Sequence, residues 1–231
     1  MSKNVYLGMV GDILHPGLIN IINEGAKLGE LTIGLYTDKA IATYRSRLPY
    51  TTYEQREQVI KNIRGVAHVV PQDEYSYIPN LQKYRPDILI HGDNWKEGRD
   101  SELRLECIKV MADLGGEVVE VPYTKGINSS SLFDEVKAIG TTPDIRLKSL
   151  RRLIAAKPIV RILEAHDGLS ALIIERYEVK KGQEIRAFDG MWSSSLTDST
   201  SKGKPDIEAV DLTTRMQDLT NILECTTKPI I

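Results

Sequence analysis

The 231-residue chain carries a formal net charge of −2 with 27% charged residues, an ordinary globular composition that argues against a nucleic-acid partner or a polybasic membrane surface. No run approaches the roughly 18 apolar residues of a membrane span, and the N-terminal MSKNVYLG lacks the apolar core of a signal peptide. The two isolated cysteines, Cys107 and Cys225, form neither a disulfide framework nor a CxxC metal site, so reduced thiols in a cytoplasmic protein are expected.

In chain order, an apolar strand is predicted over Val5 to Val10. A turn containing His15-Pro16-Gly17 follows, and then a helix whose apolar face is Leu18, Ile19, Ile21, Ile22, Ala26 and Leu28, ended by Gly29. A strand, a glycine turn and a helix N-terminus make an anion site, because unpaired backbone N–H groups and the helix dipole converge there. His15 adds a donor whose charge changes near neutral pH. Leu31 to Thr37 reads as a second strand, covered on both faces, and Asp38 as the cap of a short helix to Tyr44. A basic loop holding Arg45 and Arg47 comes next. A helix then opens at Thr52 with Gln55 three residues on, the spacing of a capping box.

Val66 to Val70 reads as a third strand, Tyr75 to Tyr84 as a loop with a short helix, and Ile88 to His91 as a fourth strand stopping at Gly92-Asp93-Asn94-Trp95. Ser101 to Leu114 reads as a helix and Val118 to Val121 as a fifth strand. A polar turn, Thr124 to Ser131, feeds a last helix. This alternation predicts an α/β domain with a doubly wound, Rossmann-like parallel sheet. Ligands in such sheets collect at the carboxyl ends of strands, where the turns at His15, Gly92–Trp95 and 124–131 all fall. One composite site is expected.

Near residue 140 the turn-rich Gly140-Thr141-Thr142-Pro143-Asp144 marks a boundary, giving a domain over 1–140, a linker over 141–146 and a second segment over 147–231. That segment reads as a basic amphipathic helix (Leu147 to Ala156), a strand (Ile159 to Ala165) and a helix (Leu169 to Tyr177). A Ser/Thr-rich loop (Ser193 to Ser201), a helix from about Asp206 to Leu223, and the start of a strand near Lys228 complete it. About 90 residues cannot close an α/β barrel, which takes about 250, so an incomplete barrel segment is expected. The apolar Pro-Ile-Ile end suggests a chain that continues.

The motifs GDILHPGL, TYEQR, HGDNW and TKGINSSS, in this order, resemble those of the HxGH cytidylyltransferases, the glycerol-3-phosphate cytidylyltransferase type. The resemblance implies CTP, carried with Mg²⁺, and an oxyanion acceptor giving a CMP-linked product and pyrophosphate. It implies His15, Arg45 and Arg47 as catalytic or phosphate-holding groups. For nucleotide binding it implies Gly8, Gly11, Gly17, Arg56, Gly92, Asp93, Trp95, Gly126, Ser129 and Ser130. No protein cluster has metal-ligand spacing, so the ion would arrive with the nucleotide.

Three positions depart from the pattern: Leu18 replaces the second histidine, Asn94 the second aspartate of the GDDW-like turn, and Asn128 a serine. Asparagine keeps hydrogen-bonding capacity, whereas leucine has none. The loss of one donor to a developing oxyanion typically costs about 10²–10³ in rate. Two readings follow: slowed transfer, or a domain that binds nucleotide without turnover.

SLRRLIAAKPIVRILEAHDGLSALIIE and FDGMWSSSLTDSTSKGKPDIEAVD resemble the opening of phosphoenolpyruvate mutase, of the isocitrate lyase superfamily. Trp192, Ser194 and Leu196 match its substrate loop and Asp206 an acidic position further on, while the metal-binding aspartates of that family would lie beyond Ile231. The two resemblances on one chain suggest a bifunctional enzyme of phosphonate biosynthesis of the fosfomycin type. They make a small phosphonate, such as 2-hydroxyethylphosphonate, the expected acceptor. Nothing in the sequence decides between a monomer and a homo-oligomer.

Overall fold

A computed structural model describes residues 2–45, 47–122, 124, 143–181 and 184–231. The chain divides into two compact units, one comprising Met1–Thr43 and Pro49–Asp134, the other Tyr44–Leu48 and Glu135–Ile231. The predicted last helix of the first domain and residues 140–142 of the expected boundary lie outside the described residues, whereas Pro143 to Arg146, read as boundary and linker, are helical because the basic helix expected from Leu147 begins four residues earlier. Among the described residues no helix is long and apolar enough to cross a membrane.

The first unit contains β1 (Asn4–Met9), α1 (Pro16–Leu28), β2 (Glu30–Tyr36), α2 (Asp38–Tyr44), α3 (Tyr53–Lys61) and β3 (Val66–Gln72). It continues with α4 (Ile78–Tyr84), β4 (Ile88–Gly92), α5 (Ser101–Asp113) and β5 (Glu117–Val121). The five strands form one sheet in the order β3-β2-β1-β4-β5, every pairing parallel. This is the doubly wound α/β sheet that the alternation of strands and helices predicts.

The near-continuous apolar runs follow from coverage of both faces. Val5, Leu7 and Met9 of β1 join Ile22, Leu31, Ile33, Leu35, Ile60, Ile88 and Ile90 in one buried cluster. Tyr6 points the other way, into a cluster with Tyr77, Leu81, Leu89, Trp95, Leu103, Cys107 and Met111. α3 has the expected capping box: Thr52 Oγ1 accepts from Gln55 N, and Gln55 Oε1 accepts from Thr52 N. The cap of α2 differs from expectation. Thr37 Oγ1 accepts from Ala40 N at 3.2 Å, which leaves Asp38 for an ion pair.

The second unit contains α6 (Pro143–Ala156), β6 (Ile162–Ala165), α7 (Gly168–Arg176), β7 (Glu178–Lys181), β8 (Glu184–Ala187), β9 (Gly190–Ser193), α8 (Ser195–Ser201) and α9 (Leu212–Cys225). β6 and β9 pair in parallel, and Ile230 bridges Met191 in the same parallel sense. Two expectations are corrected. The Ser/Thr-rich stretch is not a loop but α8, because Ser194 caps it through Thr197 N and the Thr200 and Ser201 hydroxyls turn back onto helix carbonyls. α9 starts at Leu212 rather than near 206, since Glu208 adopts a left-handed φ of 61° and Asp211 is the cap. The antiparallel pair β7–β8 was not anticipated.

Candidate functional site

In the order β3-β2-β1-β4-β5 the winding reverses between β1 and β4, and the crevice beyond their carboxyl ends is where this architecture binds ligands. β1 leaves the sheet into the turn that carries His15, and β4 leaves it at Gly92. The sheet thus brings together two of the three expected turns. The third begins against the first: the Thr124 Cβ lies 3.5 Å from where a Cβ on Gly17 would stand. Gly126, Ser129 and Ser130 lie outside the described residues.

His15 is the residue before α1, in extended conformation, and its carbonyl accepts from Leu18 N and Ile19 N at 2.9 and 3.2 Å. Pro16 opens the helix, where its missing N–H costs nothing. The first turn of α1 carries no acidic side chain, so the positive end of its dipole stays uncompensated there. His15 is only 9% exposed, and this burial pushes its imidazole pKa below the ordinary value. At neutral pH the ring is therefore neutral, with one nitrogen donating and the other accepting.

The glycines divide by role. Gly11 has a φ of +67°, a left-handed backbone that only glycine adopts freely. A Cβ on Gly17 would lie 3.0 Å from both Cε1 and Nδ1 of His15, so this glycine makes room for the imidazole. A Cβ on Gly8 would fall 2.0 Å from Tyr77 Cε1, so a tyrosine ring occupies the space this glycine leaves. Gly92 starts the 3-10 turn Asp93–Trp95, with the Asn94 carboxamide oxygen 2.8 Å from its virtual Cβ. Asp93 sits partly exposed in that turn.

Arg56 is engaged inside the unit. It is 1% exposed, and its Nη1 donates to Val10 O (2.6 Å) and Tyr36 O (2.7 Å) while Nη2 pairs with Asp38 (2.9 Å). The guanidinium therefore ties the exits of β1 and β2 together from inside. Trp95 is fully buried, stacked on His91 with centroids 3.9 Å apart and edge-on to Tyr77. It supports the turn after β4 from below instead of offering an exposed face to a base. Arg45 and Arg47 belong to the segment Tyr44–Leu48, which groups with the second unit; the Arg45 guanidinium lies over the Tyr44 ring.

Leu18, at the second-histidine position, is partly buried against the β1–β2–β4 core. In the second unit Trp192 is 57% exposed and Leu196 is exposed. The buried Ser194 is committed to capping α8. Asp206 accepts from Ser195 Oγ at 3.3 Å, which joins it to the Trp192–Leu196 stretch.

Two residues of the first unit were missed. Asp12 accepts from Tyr50 N, Thr51 N and Thr51 Oγ1 at 2.6–3.0 Å, fastening the chain before α3 to the His15 turn. A carboxylate in a tight turn was the available signal. Glu120, at the end of β5, accepts from the Trp95 indole, Arg104 and Lys96. No local pattern announced it. Among the described residues no group of three or more His, Cys, Asp or Glu side chains could hold a metal ion.

Comparison with known proteins agrees with this architecture. A cytidylyltransferase-like family model matches residues 11–134, and a phosphoenolpyruvate phosphomutase model matches residues 150–231. Glycerol-3-phosphate cytidylyltransferase of Bacillus subtilis (strain 168) is 27% identical over 141 residues, covering 60% of this chain and 100% of the relative. FAD synthase of Korarchaeum cryptofilum (strain OPF8) is 30% identical over 141 residues, covering 59% of this chain and 92% of the relative. Bifunctional protein HldE of Gluconobacter oxydans (strain 621H) is 29% identical over 133 residues, 57% of this chain but only 27% of the relative.

Proposed function

Because this chain belongs to the cytidylyltransferase-like family, we propose that its first unit is a CTP-using nucleotidyltransferase that places CMP on a small phosphonate, such as 2-hydroxyethylphosphonate, in the cytoplasm. The observation that carries the nucleotidyltransferase reading is the neutral, buried His15 at the N-terminus of α1, set at the reversal point between β1 and β4. The phosphonate rests on the phosphomutase match to residues 150–231 of the same chain, since a mutase of that kind makes the carbon–phosphorus bond. The differing names of the relatives leave the acceptor to be chosen by that second match.

In this reading an acceptor phosphonate oxygen attacks the α-phosphorus of CTP. The new P–O bond forms as the bond to the β-phosphate oxygen breaks, and pyrophosphate departs with that electron pair. Such transfer needs positioning and charge neutralisation more than a covalent nucleophile. The His15 N–H donates to a phosphate oxygen as charge builds, while the α1 dipole faces the same region. Gly11 and Gly17 hold the turn and the ring in place. Mg²⁺ would enter as the ion CTP carries, screening the phosphate charge. Arg45 and Arg47 remain proposed phosphate-holding groups. Trp192, Ser194, Leu196 and Asp206 remain a proposed mutase-type substrate loop.

The test is pyrophosphate release from CTP with 2-hydroxyethylphosphonate, with glycerol 3-phosphate in parallel. Release with the phosphonate alone supports the reading, and release only with glycerol 3-phosphate transfers the activity to a phosphate acceptor. A second reading is favoured by Leu18, whose side chain packs on the core and presents no donor: the unit binds CTP and supports the attached segment. CTP binding by calorimetry without pyrophosphate release would establish it over the first.

A further inference from the structure

The cluster at the end of β5 has no part in the reading above, yet it gathers more donors than any strand-end carboxylate needs for solubility. Glu120 Oε1 accepts from the Trp95 Nε1 at 2.8 Å and from Arg104 Nε at 2.6 Å. Its Oε2 accepts from Arg104 Nη2 at 3.3 Å and pairs with Lys96 Nζ at 3.1 Å. One carboxylate thereby links β5, the turn after β4 and α5. In the sheet Glu120 lies opposite His91; the imidazole of His91 stacks on Trp95, and its Nδ1 contacts Gly92 O at 2.8 Å. Trp95 has no freedom left: the ring is fixed by His91 and Tyr77 and its N–H by Glu120. The Gly92–Asn94 backbone that borders the crevice is thus fixed through the indole it precedes.

We infer that Glu120 is a positioning residue for nucleotide binding, which acts through the Trp95 indole to hold the Gly92–Asn94 turn at the mouth of the β1/β4 crevice. It touches no substrate itself. Arg104 and Lys96 keep it ionised, and with the Arg104 hydrogen bond foremost its carboxyl pKa falls to about 2. This inference rests on the proposed CTP-using reading. It separates affinity from chemistry, because His15 sits on a different turn and keeps its own supports.

The experiment compares Glu120→Ala, Glu120→Gln and Trp95→Phe in the full chain. It measures CTP affinity by calorimetry and, where pyrophosphate is released, KM and kcat. Glu120→Ala should weaken CTP binding and raise its KM about tenfold, the equivalent of one lost hydrogen bond to a charged group, with kcat within about twofold. Glu120→Gln, whose amide oxygen still accepts from the indole, should recover most of that affinity. Glu120→Ala combined with Trp95→Phe should be no worse than Glu120→Ala alone, since both remove one linkage. Should Glu120→Ala fail to fold, Trp95→Phe carries the test: weaker CTP binding supports the inference and unchanged binding overturns it. CTP affinity unchanged in folded Glu120→Ala, whatever its melting temperature, overturns it as well. A parent chain that does not bind CTP overturns the nucleotidyltransferase reading, and this inference falls with it.

Discussion

Replacing Arg56 by alanine tests whether this residue braces the fold or meets the ligand. Its side chain is fully buried, paired with Asp38 at 2.9 Å and bonded to two strand-exit carbonyls, Val10 O and Tyr36 O. Breaking a buried ion pair from one side costs about 3–5 kcal/mol because a charge is stranded. Asp38 is 21% exposed and regains water, which places this contribution near the lower end, and each stranded carbonyl adds about 1 kcal/mol. The expected loss is about 5 kcal/mol, a large fraction of the 5–15 kcal/mol of a typical domain, and a fall in melting temperature of about 15–20 °C. Arg56→Lys keeps the charge but not the fork, so it should lose roughly half as much. The chain has two tryptophans, and in a Trp192→Phe background the fluorescence of buried Trp95 reports the first unit alone. A midpoint within about 3 °C of the parent, with the CTP KM strongly raised, would refute the brace and return the guanidinium to the phosphates.

Leu18→His restores the donor that the turn lacks and should raise pyrophosphate release at least tenfold. It should also cost about 1–2 kcal/mol in urea unfolding, because Leu18 packs on the core; an unchanged rate would show that Leu18 does not limit turnover. Gly8→Ala drives a methyl to 2.0 Å from the Tyr77 ring and should destabilise by about 2–3 kcal/mol, a result that an open ligand-facing Gly8 would not give. Stability should also depend on pH. Burial lowers the pKa of His15 and His91 from 6.5, so their contribution is complete above about 6.5 and is lost as pH falls through their folded values. Glu120, at about 2 against an ordinary 4.5, extends the loss from about 4.5 down to about 2. Urea midpoints flat between pH 7.5 and 5 would contradict the burial of both rings.

The sheet could be read from the sequence because strands covered on both faces appear as short apolar runs, and because Gly29, Gly92 and the Thr52–Gln55 pair punctuate them locally. The His15 turn could be read for the same reason: its chemistry is contained in a few adjacent residues. The partners of Arg56 and Trp95 inside the fold could not be read locally, because they are distant in sequence. Val10 lies 46 residues before Arg56 and Glu120 lies 25 after Trp95, separations that no local pattern encodes. Gly8 illustrates the same limit, since a glycine that admits a phosphate and one that admits Tyr77 look alike until the fold places the ring. In α8 the failure was of propensity: serine and threonine usually draw backbone bonds away from helices, but here their hydroxyls bond within the helix.

These reassignments change how an anion would be held in the first unit. Arg56 pairs with Asp38, and Arg104 and Lys96 share the single carboxylate of Glu120, so these cations are engaged with the walls of the crevice. Beside the proposed Arg45 and Arg47, attraction for a triphosphate then falls on the α1 dipole, on backbone N–H groups and on a neutral His15, and these last three carry no full charge at pH 7. A site of that kind discriminates by geometry, because partial charges fall off steeply with distance and must be close to be felt. This is why the residues that fix the turns matter so much here. Asp12 holds the first turn to the chain before α3 and Glu120 holds the second through Trp95, and a shift in either would change binding more than the loss of a surface cation. On the same logic the missing donor at Leu18 weighs heavily, since the turn residues Gly11 to Gly17 include no lysine or arginine to replace it.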